Sequence, residues 1–254
     1  MSTSSISDVL NKLPLISGTL FTPYSNVLSD CIIRLAFREE GKPTHIPIET
    51  LQYGSTCLEY QPQMFFSGKP CDTHTIRKHR QHLIDMGLLK YSVVPIKDTP
   101  KSYGSYTLDN EAISDLVSRE YLKLKESGVF NNVVDPTCVM STQIRTTNRQ
   151  RLIASYRQFM KHWVDYKLSV IECCCYKAFI SLAIAVKSVR LVNLVSKMYV
   201  LLPSVSNRQV RRVLHRLEQV GLIIVDYLSN GRPVHIVNMT EDIRTASLSR
   251  LVHI

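Results

Sequence analysis

Two clusters of basic and amide side chains carry most of the chemistry this chain can do. The second and denser one holds Asn207, Arg208, Gln209, Arg211, Arg212, His215 and Arg216, with Glu218 the one acidic residue among them. An arginine can donate two bonds to a guanine edge, and an asparagine or glutamine can pair with adenine. The remaining cations suit phosphates, which set the position of a protein on a duplex rather than read its sequence. Val210, Val213, Leu214 and Leu217 form an apolar stripe through the same stretch, so residues 208, 211, 212 and 215 are expected on the opposite face. The first cluster offers Thr73, His74, Thr75, Arg77, Lys78, Arg80 and Gln81 over a sparser stripe of Ile76, Leu83 and Met86. His79 stands there where the second cluster has Val213.

Other chemistries find less support. His74, His79 and His82 lie near Cys71, but no paired CxxC and no HExxH accompanies them, so no metal site and no cofactor is expected. Cys173, Cys174 and Cys175 sit in an apolar stretch. Successive helical residues point in different directions, so the three cannot share a tetrahedral site, and core packing is the expected role. There is no P-loop and no GxSxG. None of the twelve tyrosines sits in a recognisable nucleophile's context, Tyr156, beside Arg157 and near His162, coming nearest. The expectation is a protein without catalytic residues.

The elements that must hold the two clusters repeat one another. The segment from Asp72 and the segment from Ser206 align without a gap at a fixed offset. Ile76 then matches Val210, Arg77 matches Arg211, Lys78 matches Arg212, Leu83 matches Leu217, and Gly87 matches Gly221. Asp72 and Ser206 are good N-cap residues, whose side-chain oxygens accept from unpaired helix N–H groups. Gly87 and Gly221 fit the left-handed position that ends a helix. Each glycine precedes a β-prone run (Leu88–Val94, Leu222–Leu228), a turn (Lys97–Lys101, Ser229–Arg232) and a second such run (Tyr103–Leu108, Val234–Met239). Asn230-Gly231 between β-prone runs is a strong hairpin signal.

Helix, glycine, Leu-Leu or Leu-Ile, then hairpin resembles the second half of a winged helix-turn-helix domain. The motif rests on the helices Asp72–Met86 and Asn207–Val220, each followed by its wing. The resemblance implies that each helix enters a DNA major groove while its wing meets the backbone or minor groove. Upstream of the first copy, Leu28–Phe37 reads as a helix and Ile48–Leu51 as a short element, with a long insertion from Gly54 to Pro70. Upstream of the second, Leu168–Val186 reads as a long helix and Val192–Tyr199 as a shorter one. Two such modules in a chain of this size and charge resemble plasmid replication initiators in architecture.

The fold expected is therefore mostly α with small β-hairpins (α+β): tandem winged-helix domains joined by a helical linker. The parts are a flexible N-terminal segment (1–24), a first domain (25–110), a linker (111–165) and a second domain (166–254). Within the linker, 109–128 reads as one helix. A basic stretch after the break at Asn131–Pro136 holds Arg145, Arg149, Arg151, Arg157 and Lys161, interleaved with Leu152, Ile153, Tyr156, Phe159 and Trp163.

Charge and length agree with a polyanionic partner. The chain has 254 residues, a formal charge of +10 and 44% hydrophobic residues, which excludes disorder throughout. No run of about 18 apolar residues exists, so no spanning helix is expected and no membrane role. The absence of a basic start before an apolar run argues against secretion. Seven cysteines in no framework spacing read as reduced thiols, hence an intracellular protein, cytoplasmic or nucleoid-associated. The function expected is sequence-specific binding of double-stranded DNA, as an origin-binding replication initiator of a plasmid, phage or mobile element. The alternative is a transcriptional regulator on an operator. Base reading falls to Thr73, Arg77, Asn207, Arg208, Arg211 and Arg212. Phosphates fall to Lys69, Arg80, Lys97, Lys101, Arg216 and Arg232. A homodimer is compatible with tandem modules on symmetric sites, but no seam for one is legible in the sequence.

Overall fold

The computed structural model describes residues 6–23, 72–132, 150–156, 158–159, 165–228 and 230–238. The expected elements at 28–37 and 48–51, the insertion at 54–70, Lys69, Cys71 and the residues Arg145, Arg149, Arg157, Lys161, His162 and Trp163 lie outside them. Among the described residues the chain is mixed α and β, with two small antiparallel sheets. It divides into two compact units, Met1–Leu122 and Lys123–Ile254. The stretch expected as a separate linker is thus shared between them.

The first unit opens with α1 (Ile6–Leu20). The expectation of a flexible 1–24 segment is corrected here: Leu13, Leu15, Ile16 and Phe21 are buried. Pro14 lacks an N–H for the helical ladder, so this helix depends on the burial of its apolar side chains. Phe21 stands edge-on to His82, with ring centroids 6.0 Å apart, and Lys12 Nζ lies 5.1 Å from the Tyr121 ring centre. Next come α2 (Thr73–Asp85), the paired strands β1 (Leu89–Pro95) and β2 (Ser102–Leu108), and α3 (Asn110–Glu126). Asp72 caps α2, its Oδ1 accepting from Thr75 N–H at 2.9 Å. Asp109 caps α3, accepting from Ala112 N–H at 3.0 Å, and pairs with Lys90 of β1 at 2.7 Å. One side chain therefore fixes the start of α3 to the hairpin.

The second unit runs α4 (Val170–Ala185), β3 (Arg190–Val192), α5 (Leu194–Leu201), α6 (Asn207–Gln219), β4 (Ile223–Tyr227) and β5 (Pro233–Val237). A capping box starts α4: Ser169 N–H donates to Glu172 Oε2 at 2.6 Å, and Glu172 N–H donates to Ser169 Oγ at 3.4 Å. Every residue of α4 from Cys173 to Ala183 is buried, on all sides of the helix, so α4 is the unit's central post. Each fully buried Phe, Ile or Leu there contributes roughly 1.5–3 kcal/mol. The helix expected over 192–199 is corrected to 194–201. The residues before it form β3, an edge strand in the order β3-β5-β4. Three residues are too few for an alternating pattern, so this strand leaves no periodic signal.

The internal repeat holds at the level of single hydrogen bonds. Gly87 and Gly221 have φ of 71° and 77°, the left-handed region that favours glycine. Leu88 N–H donates to Leu83 O at 3.0 Å, and Leu222 N–H to Leu217 O at 2.9 Å. Both bonds reach back over the helix end in the same way. Residue 109 then donates to Leu88 O, and Asn238 to Leu222 O, each at 3.1 Å. Each copy therefore closes its hairpin back onto its own Gly-Leu exit.

Candidate nucleic-acid interface

α6 is the most polarised element among the described residues. Val210, Val213, Leu214 and Leu217 are buried, and α6 packs on α4, α5 and β4. Asn207, Arg208, Gln209, Arg211, Arg212 and His215 are exposed, and Arg216 is half-buried. The stripe read from the sequence is the inward face, and residues 208, 211, 212 and 215 share the outward one. Ser206 starts the helix through a second capping box. Gln209 N–H donates to Ser206 Oγ at 3.3 Å, and Ser206 N–H donates to Gln209 Oε1 at 3.0 Å. Ser206 Oγ also donates to Gln209 Oε1, at 2.9 Å. Gln209, one of the expected DNA-binding side chains, therefore has its acceptor oxygen engaged in the cap.

His215 also has partners within the helix. Its Nε2 is 3.1 Å from Gln219 Nε2, and its Nδ1 is 3.7 Å from Glu218 Oε2. Arg232 is exposed at the tip of the β4–β5 hairpin. There Gly231 has φ 75°, and Asn230 Oδ1 accepts from Arg232 N–H at 3.1 Å.

In the first unit, α2 exposes Thr73, His74, Arg77, Lys78, Gln81 and His82, and buries Ile76 and Leu83. His79, the departure from an apolar stripe, is half-buried, and that burial holds its pKa below the ordinary imidazole value. Arg80 is half-buried, with its guanidinium 5.0 Å from the ring centre of buried Tyr106 on β2. Its stem and charge thus brace α2 against the hairpin. Tyr106 in turn packs on Tyr91, ring centroids 5.2 Å apart. Lys97 and Lys101 are exposed at the hairpin tip, where Ile96 N–H donates to Lys101 O at 2.9 Å.

A further residue supports the second unit, and the sequence did not single it out. Asn132 lies along the outer edge of β3. Its Nδ2 donates to Arg190 O at 2.8 Å, and its Oδ1 accepts from Val192 N–H and from Lys197 Nζ, both at 3.2 Å. The side chain satisfies the backbone of an edge strand and also the ammonium of buried Lys197, whose pKa burial lowers. In sequence, Asn131-Asn132 reads only as a break, and its partners lie some sixty residues downstream.

The cysteines of α4 are buried, and burial pushes the thiols of Cys173 and Cys175 well above the ordinary range. They are packing groups held protonated. Among the described residues, no three His, Cys, Asp or Glu side chains cluster to hold a metal ion. Nor is any helix there long and apolar enough to cross a membrane. No protein-family model, curated protein or solved structure matches this chain. The residues themselves therefore carry the functional reading.

Proposed function

We propose that the protein binds double-stranded DNA sequence-specifically through two winged-helix modules, without catalysis or cofactor, and that it serves as an origin-binding initiator of a plasmid, phage or mobile element. The observation that carries this is α6. Its apolar face is buried against α4, α5 and β4, and its outward face presents Arg208, Arg211, Arg212 and His215. The order α4-β3-α5-α6-β4-β5 around a three-stranded sheet supports the winged-helix reading, in which Arg232 at the tip of the β4–β5 hairpin would belong to the wing. In the first unit, α2 and its hairpin repeat the helix exit and closing bonds of the second, with Lys97 and Lys101 at the tip. One chain would then cover two successive grooves.

A binding selection from randomised duplex DNA at two salt concentrations tests this. One enriched motif with steep salt dependence is expected. No motif, or affinity indifferent to salt, overturns it. Directly repeated sites beside an AT-rich stretch identify an origin, whereas a palindrome over a promoter identifies a transcriptional regulator.

A further inference from the structure

The outward faces of α2 and α6 differ in a regular way. At the offset that aligns the two copies, His74, Arg77, Lys78, Gln81, His82 and Asp85 take the places of Arg208, Arg211, Arg212, His215, Arg216 and Gln219. The residues of the first set recur at helical spacing and are all exposed, so they share one face. Two arginines of α6 are thus histidines in α2, and one glutamine is an aspartate. The caps differ in the same sense, with Asp72 standing where α6 begins at Ser206.

These exchanges change the charge of the face. The four arginines of α6 are cationic at any pH a folded protein meets. On α2 the fixed cations are Arg77 and Lys78, and two carboxylates, Asp72 and Asp85, stand beside them. Hydrogen bonds from the Thr75 hydroxyl and N–H hold the Asp72 carboxyl below the usual carboxylate range, so it stays ionised. Asp85 Oδ1 accepts from Gln81 Nε2 at 2.8 Å. Arg80 adds nothing to this face, because it aligns with buried Leu214 and its guanidinium lies over Tyr106. Two fixed cations therefore balance two carboxylates, and the sign of the face falls to His74 and His82. An imidazole, unlike a guanidinium, gains and loses its charge around neutral pH. The charged neighbours of His74 along α2 are Asp72, Arg77 and Lys78, and those of His82 are Lys78, His79 and Asp85. From α1, the uncharged Phe21 ring meets His82 edge-on. From the hairpin, Tyr106 faces Arg80, and Lys90 is already paired with Asp109.

We propose that the first module engages the phosphates of duplex DNA only as His74 and His82 become protonated, so that α2 binds in mild acid and releases as pH rises, while α6 stays bound throughout. The inference rests on the duplex-binding reading and adds a regulation to it. Each imidazole takes one proton from solvent on engagement and returns it on release, because a phosphate beside it favours the charged form. One chain would then hold its site by one module in mild alkali and by two in mild acid.

The test is titration of the full chain with random-sequence duplex DNA at about pH 6 and about pH 8, on either side of the imidazole range, each in a salt series. Wild-type binding is expected to be tighter at the acid pH. Its salt slope there is expected to be steeper by about 1.8, roughly 0.9 for each added phosphate contact. The variant H74R/H82R, which copies α6, is expected to bind at the alkaline pH as tightly as the wild type does at the acid one, with one slope at both. H74Q/H82Q is expected to keep the weaker, shallower binding at both. H215Q, on α6, should retain the wild-type pH dependence. All three positions are exposed, so thermal melting at each pH should match the wild type and exclude misfolding as the cause. Duplex binding with the same affinity and slope at both pH values overturns the inference and leaves the duplex-binding reading standing, whereas no binding at either overturns both. A pH dependence that survives in H74R/H82R, or vanishes in H215Q, also overturns it, since the titrating group then lies elsewhere.

Discussion

Arginine side chains on the outward face of α6 differ in what they can do, and substitution separates them. Arg211 stands mid-face, fully outside the packed stripe. Arg211→Ala is expected to weaken binding to the selected site by about 1–3 kcal/mol and to relax the preference at one base pair, read from binding to single-base variants of the site. Equal losses on specific and random DNA would make it a phosphate contact instead. Two imidazoles, half-buried His79 and buried His235, make stability fall in mild acid. His79 in α2 and His235 in β5 both have pKa values lowered from the ordinary 6.5, first by burial, and His235 Nδ1 has no hydrogen-bond partner among the described residues. Below an ordinary imidazole pKa the unfolded chain takes up these protons more readily than the folded one. Stability is therefore complete above about pH 6.5 and falls as pH drops from there toward the lowered folded values, levelling off below them. Thermal melting over neutral to mildly acidic pH is expected to show this slope, and His235→Leu to flatten it.

Helix caps and edge-strand partners are the element-scale devices that hold the outward faces in place. Ser206→Ala removes the two bonds made by the Ser206 hydroxyl, leaves the Ser206 N–H on Gln209 Oε1, and is expected to cost about 1 kcal/mol in chemical denaturation. Asn132→Ala takes the acceptor from the Val192 N–H and the buried Lys197 ammonium together, while the Arg190 carbonyl keeps its bond from Ser188 Oγ. A loss of about 1–3 kcal/mol is expected, whereas Asn131→Ala, with an exposed side chain at the neighbouring position, should cost far less. If the two alanine variants melt alike, the Asn132 clamp is not a stabilising feature. Most elements of the repeat were legible because their signals are local: a capping side chain, a 3.6-residue apolar stripe, and a glycine at positive φ. α1 and β3 were not. α1 contains a proline and owes its order to burial, and β3 is three residues long with Asn132 supplying its edge.

Charge belongs to the whole molecule. With about six phosphates neutralised by the two helices and their hairpin tips, the logarithm of the binding constant is expected to fall with the logarithm of salt at a slope of roughly −5. Fluorescence titration of the selected duplex in a salt series measures it. A slope near zero would leave both basic faces as solvated helix surface. Arg80 tempers the count, because its guanidinium is already placed over Tyr106.

By itself the sequence determined the α+β class, both basic helices, their glycine exits, their hairpins and the inward stripe of each. All of these depend on neighbours within a few turns of chain. Only tertiary structure decided that α1 is part of a core, that α4 is buried on every side, that Gln209 serves the cap and Arg80 the hairpin, and that Asn132 closes β3. Burial is a property of what packs against a residue, and those partners lie far along the chain, where periodicity in one segment carries no trace of them.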